Sequence, residues 1–175
     1  APSAAAPPEP ADVPLPDMRP WDIDPAVRAA LKQRKHDQAV TRIEEWIARG
    51  LSAELTAKAR FLLGYAHLYA GHPKAAETAF AQASPLPAPL TDVLAMLRAD
   101  AAVRSSRPLV ALGHLDAITD TALAASRRVR LMRARALRGG GRPAEAAVLL
   151  QALVAEDQPS HSSTWERLAR AQDEA

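Results

Sequence analysis

The chain is 175 residues long, carries a formal net charge of +2 and contains no cysteine. That length suffices for a continuous core, and the missing thiols exclude a disulfide framework and thiolate chemistry. No run of about 18 apolar residues occurs, so no segment is apolar enough to cross a membrane as a helix. A high isoelectric point with so small a net charge is weak support for nucleic-acid binding.

Residues 1–20 hold seven prolines among alanines. Proline lacks an N–H and fixes φ, so residues 1–22 read as a disordered Ala/Pro-rich tether before a helical domain over 23–175. A start at Ala followed by such a tether is expected of an exported, periplasmic protein trimmed of its leader. A cytoplasmic linker within a longer chain is the alternative.

Asp24-Pro25 reads as an N-cap with proline at the first helical position, opening a helix over 25–34. A second helix runs from about Asp37 to Arg49 and closes at Gly50; Ala39, Ile43 and Trp46 share one face. The next spans Ser52 to Ala70 and stops at Gly71, and Pro73 opens its partner. The Pro85–Pro89 stretch breaks the chain. Helices follow over 90–104, 108–118, 121–138 and 143–156, with Thr119-Asp120 capping the third and Gly139-Gly140-Gly141 ending it. A last helix reaches from the caps at Ser160–Ser163 to about Asp173.

A fixed spacing of 35 residues relates three of these pairs. Gly71-His72-Pro73, Ser106-Arg107-Pro108 and Gly141-Arg142-Pro143 fall in register. So do Gly64, Ala99 and Ala134 before them, and Ala76, Ala111 and Ala146 after them. Phe80, Leu115 and Leu150 come next as the large apolar plugs between helices, then Ala83, Ile118 and Leu153. Such a period is the mark of a stacked helical array, in which binding is commoner than catalysis.

The set Gly64, Gly71, Ala76, Phe80 and Ala83 resembles the tetratricopeptide repeat, and Trp165 to Ala169 is similar to that repeat's opening. The resemblance implies an all-α, right-handed solenoid of about four helix pairs plus a terminal helix. The phrase Ala59 to Gly64, with Leu97 to Ala101, is more narrowly similar to the helical superhelix of soluble lytic transglycosylases, which precedes a peptidoglycan-cleaving domain. The Glu-Ser pair of that domain is absent here, so the chain would be only its non-catalytic part.

No catalytic constellation emerges. Glu44-Glu45 lies on a helix with no implied pocket, where solvation is expected. The glycine run lacks the Lys-Ser/Thr of a phosphate loop and fits a helix C-cap. Histidines 36, 67, 72, 114 and 161 show no metal-ligand spacing, and His67 stands where the repeat packs a Tyr. Neither metal nor cofactor is expected.

The resemblance implies a partner-binding groove on the first helix of each pair. Carried over by position, it holds Lys58, Phe61, Tyr65, Leu68 and Tyr69, then Val93, Met96, Asp100, Val103 and Arg104, then Arg128, Leu131, Arg135 and Arg138. Apolar at one end and basic at the other, it suits a peptide with an acidic or carboxylate-bearing end. Packing of Tyr65 and Tyr69 against the next repeat is the competing reading. The family's carboxylate clamp is excluded, because Phe61 and Tyr65 stand where it needs Lys and Asn. Arg127, Arg128, Arg135 and Arg138 share one quadrant at helical spacing. A solvated face, an acidic protein or a glycan such as peptidoglycan fits that stripe; without interleaved aromatics, nucleic acid does not. The expectation is a non-catalytic scaffold binding a peptide or protein, with a self-assembling structural protein as a further alternative.

Overall fold

The computed structural model describes residues 21–88 and 90–157. Positions 1–20 of the tether and the expected last helix, with Trp165, lie outside the described residues. Among the described residues every regular element is a helix. The chain divides into two compact units, Ala1–Thr91 and Asp92–Ala175.

The first unit holds α1 (Pro25–Lys32), α2 (His36–Ala48), α3 (Ala53–Tyr69) and α4 (Pro73–Ala81), each packed on the next. Asp24 caps α1 by accepting from the Ala26 N–H at 2.8 Å, with Pro25 at the first helical position. Its carboxylate also pairs with Arg49 beyond α2 at 2.8 Å, which ties the ends of the two helices together. Ser52 caps α3, accepting from the Leu55 N–H at 3.3 Å. These side chains satisfy N–H groups that a helix start leaves unpaired.

The second unit takes in most of α5 (Leu90–Arg104), then α6 (Pro108–Asp116), α7 (Thr121–Ala125), α8 (Arg127–Gly139) and α9 (Pro143–Asp157). α8 packs on α6, α7 and α9. The single helix expected over 121–138 is two helices. Ser126 turns the backbone to ψ 145° and its hydroxyl accepts from the Val129 N–H at 3.4 Å, so it ends α7 and caps α8. Serine competes with the backbone for hydrogen bonds, which makes it a better cap than a helix interior.

The turn inside each helix pair is the same closed motif four times. His72, Arg107 and Arg142 each donate their N–H five residues back, to the carbonyls of His67, Ala102 and Leu137, at 2.8, 2.8 and 2.9 Å. Lys35 does the same to Ala30 at 3.0 Å. The residue before each donor is left-handed: Arg34 at φ 57°, Gly71 at 86°, Ser106 at 59° and Gly141 at 79°. This is a Schellman ending, and glycine takes it without steric cost. Ser106 does not. Ser106→Gly is expected to stabilise the second unit by about 0.5–1 kcal/mol, the relief of left-handed strain less glycine's added chain entropy. A midpoint unchanged or lowered in urea would contradict that conformation at position 106.

The core follows the repeat register, with one exception. Phe80 is fully buried against Gly64, where an added methyl would overlap the ring. Leu115 is likewise buried, as are Ala146 and Leu153 on the seam of α9. Leu150, expected as the third plug, is 39% exposed. Among the described residues α9 has its main packing partner in α8 alone, and the seam through Ala146 and Leu153 turns Leu150 outward. The tether boundary also moves. Trp21, placed in the tether by composition, is buried at 7% exposure, and Ile23 is buried beside it.

Candidate functional site

The groove residues predicted on α3 separate by burial. Phe61 and Leu68 are 0% exposed and Tyr65 is 5% exposed, so they belong to the core and cannot line a partner surface. The cause is visible in the packing around Phe61. Its ring lies 6.1 Å from Trp21, edge on, and 6.4 Å from Phe80. Lys58 is half-buried, salt-bridged to Glu54 one turn back, with Nζ 5.7 Å from the Trp21 ring. Tyr69 is half-buried in an aromatic cluster with Tyr65 at 4.6 Å and His36 at 5.7 Å.

In the second unit Met96 is buried too, contrary to its groove assignment. Val93, Val103 and Leu131 are half-buried. Arg104 donates from Nε and Nη2 to the two oxygens of Asp100, at 3.0 and 3.3 Å, so those two groove charges largely satisfy each other. α8 is different. It carries Arg127, Arg128, Arg130, Arg133, Arg135 and Arg138 and no acidic residue. The two on its packed side are matched: Arg130 grips both oxygens of Glu156 at 2.6 Å, and Arg133 donates to Asp116 at 2.6 Å. Arg128 is half-buried, while Arg135 and Arg138 are exposed and form no ion pair among the described residues. The stripe therefore survives as a surface, with Arg135 and Arg138 its open members.

A cleft of about 420 Å³ between α6, α8 and α9 was not foreseen from sequence. Leu112 and Leu137 are buried at its floor, with Leu149 half-buried. Two ion pairs form its rim, Arg133–Asp116 and Arg142–Glu145, both at 2.6 Å.

Two titratable groups are set by their surroundings. Asp92 is buried near the start of α5 and accepts the Thr119 N–H at 3.0 Å, the Thr119 hydroxyl at 3.0 and 3.2 Å, and the Asp120 N–H at 3.0 Å. Those bonds, the Thr119 N–H foremost, hold its carboxyl below the usual range against the cost of burial. Asp92 thus fastens α5 to the turn before α7. His67 is half-buried, with Nδ1 lacking a hydrogen-bond partner among the described residues. Burial pushes its pKa down, nearby Glu44 pulls it up, and His72, 5.9 Å away ring to ring, pushes it down again.

A base whose folded pKa is depressed binds fewer protons folded than unfolded, so its contribution falls as pH drops below the ordinary 6.5. Acidification from neutral pH to between 5 and 6 is therefore expected to lower the melting temperature of the first unit, a drop that His67→Leu reduces. Equal acid sensitivity in both proteins would remove His67 as the cause. The Asp92 contribution is lost only at lower pH, below the ordinary 3.8 of a carboxyl.

Glu44 and Glu45 are exposed, and the Gly139–Gly141 run closes α8 in its Schellman turn. Among the described residues no three His, Asp or Glu side chains converge as metal ligands, and no helix is long and apolar enough to cross a membrane. A family model described as tetratricopeptide repeat matches residues 25–88, 96–161 and 131–175. Comparison with curated proteins and with solved structures found no match.

Proposed function

The chain belongs to the tetratricopeptide repeat family, whose repeats generally mediate protein–protein contact or scaffolding, and we propose that it is a non-catalytic interaction module whose partner presents acidic side chains to α8. The carrying observation is the division of labour along that helix. Arginines on its packed side already hold carboxylates, whereas Arg135 and Arg138 stand exposed one turn apart with none among the described residues. A guanidinium is planar, always charged and shaped to grip a carboxylate with two parallel bonds. Two such groups at i and i+3 fit acidic residues at a similar spacing on a partner strand or helix.

The α3 face contributes little to this reading, because Phe61, Tyr65 and Leu68 are core. Peptide capture on aromatic side chains thus gives way to charge recognition. The test is a pull-down with the full chain as bait, beside the double variant Arg135→Glu/Arg138→Glu, repeated across a salt series. Capture of a discrete acidic protein is expected, lost in the variant and weakened by salt. Each charge-assisted hydrogen bond contributes about 1.5–3 kcal/mol, so the double reversal should weaken binding more than tenfold, roughly. Binding indifferent to both the variant and salt would overturn the assignment to α8. Parallel sedimentation with peptidoglycan sacculi separates a glycan ligand from a protein one.

A further inference from the structure

We propose that the partner of α8 carries a large apolar side chain beside its acidic ones, and that this side chain docks on Leu109 and Val110 at the start of α6. The inference rests on the reading of α8 as the partner face and extends it from charge to sequence. The ligand class is a peptide segment with acidic residues and, at one fixed distance from them, an apolar anchor.

α6 is unlike the second helix of the other pairs. Its second and third residues are Leu109 and Val110, where α2 has Asp37-Gln38, α4 has Lys74-Ala75 and α9 has Ala144-Glu145. A surface helix ordinarily turns polar residues to water and apolar ones to the core. Here Ala111, Leu112 and Leu115 fill the core side, while Leu109 is 67% and Val110 36% exposed. A Cβ added at Gly113, one turn beyond Leu109, would meet no atom of the described residues within 4 Å, so the apolar face is open there too.

The apolar pair adjoins the arginines. Gly139 follows Arg135 by four residues, so it lies one turn further along the same side of α8. A Cβ built at Gly139 would stand 3.4 Å from Pro108 Cβ, and one at Gly140 3.5 Å from Leu109 Cδ2. The first turn of α6 therefore begins where the Arg135–Arg138 stripe ends, with glycine backbone between them.

Charge decides what covers Leu109. Two copies of the chain meeting through this patch would bring their Arg135 and Arg138 together and repel. A neutral apolar segment would dry the surroundings of both guanidinium groups and give them no carboxylate in return. An acidic segment with an apolar anchor answers both halves of the surface. Its cover over Leu109 also keeps water from the new ion pairs, which strengthens them.

The probes are short fluorescent Ser/Gly peptides with a fixed Glu-Ser-Ser-Glu block and a single Leu stepped through the positions on either side. Their affinity for the full chain is read by anisotropy at low ionic strength. The variants are Leu109→Ser, Arg135→Glu/Arg138→Glu and, as a control, Val154→Ser, which changes an exposed apolar residue of α9. One placement of Leu is expected to bind about tenfold or more tighter than the Leu-free peptide. Leu109→Ser removes that gain but keeps the Leu-free binding, which also shows that the variant is folded. The double reversal abolishes both, and Val154→Ser changes neither. Leu-bearing peptides no tighter than the Leu-free one overturn this inference and leave the α8 reading standing, and so does a gain that survives Leu109→Ser. Binding that needs Leu but ignores Glu and the double reversal overturns the α8 reading and this inference with it. Absence of binding by every peptide overturns the inference, in favour of a membrane surface if phosphatidylserine vesicles then sediment the chain in a Leu109-dependent way.

Discussion

Phe80→Ala is expected to destabilise the first unit by about 3–5 kcal/mol, the cost of removing a fully buried ring and leaving its cavity. The ring sits where helix α4 meets the one glycine of helix α3, and it also touches Phe61. Collapse into the space is limited, because Leu62, Leu68 and Ala76 are already fully buried around the same helices. Gly64→Ala attacks the contact from the other side. Its new methyl would overlap the Phe80 ring, so the ring or the helix must shift, at about 1–3 kcal/mol. The double variant should lose less than the sum of the two, by about 1 kcal/mol or more, because the methyl at 64 partly fills the cavity left at 80. Urea unfolding of the three proteins measures the cycle. Strict additivity, or a loss below about 1 kcal/mol for Phe80→Ala, would mean that the two positions do not meet.

The repeat was legible because its turns are written in residues with strong backbone demands. Gly71 and Gly141 supply left-handed φ, and Pro73, Pro108 and Pro143 fix the start of each second helix. Small residues opposite large ones gave the Gly64–Phe80 packing for the same reason. What could not be read depends on neighbours rather than on pattern. Leu150 has the same register as Phe80 and Leu115, yet it is 39% exposed, and among the described residues α8 is the one helix packed closely on α9. Ser126 suits either a helix surface or a cap, and only its ψ of 145° shows which. On α3 the expected groove residues Phe61, Tyr65 and Leu68 are buried, because position in the repeat names a face but not what covers it. The cleft joins residues from three helices, and periodicity along one helix cannot show that. The α8 arginines, by contrast, follow from the period of one helix, on which Arg135 and Arg138 are exposed and Arg128 is half-buried.

Trp21→Ala is expected to cost about 3 kcal/mol in the first unit, although the residue falls in the stretch that composition assigns to the tether. The reason lies in what the indole covers: Trp21 and Ile23 are buried ahead of α1, and the Trp21 ring packs on Phe61 of α3. The indole packs edge-on against Phe61 and lies under the Lys58 ammonium, and Arg28 Nη2 donates to the Trp21 carbonyl at 3.1 Å. Removing the indole exposes Phe61 and opens the end of the core to water. Trp21→Phe should restore most of the loss, because an aromatic ring still covers Phe61. Hydrogen exchange of the amides from Phe61 to Tyr65 gives the local reading, with faster exchange expected in Trp21→Ala than in Trp21→Phe. Unchanged exchange with a loss under about 1 kcal/mol would place the start of the folded unit at α1, as proline content alone suggests.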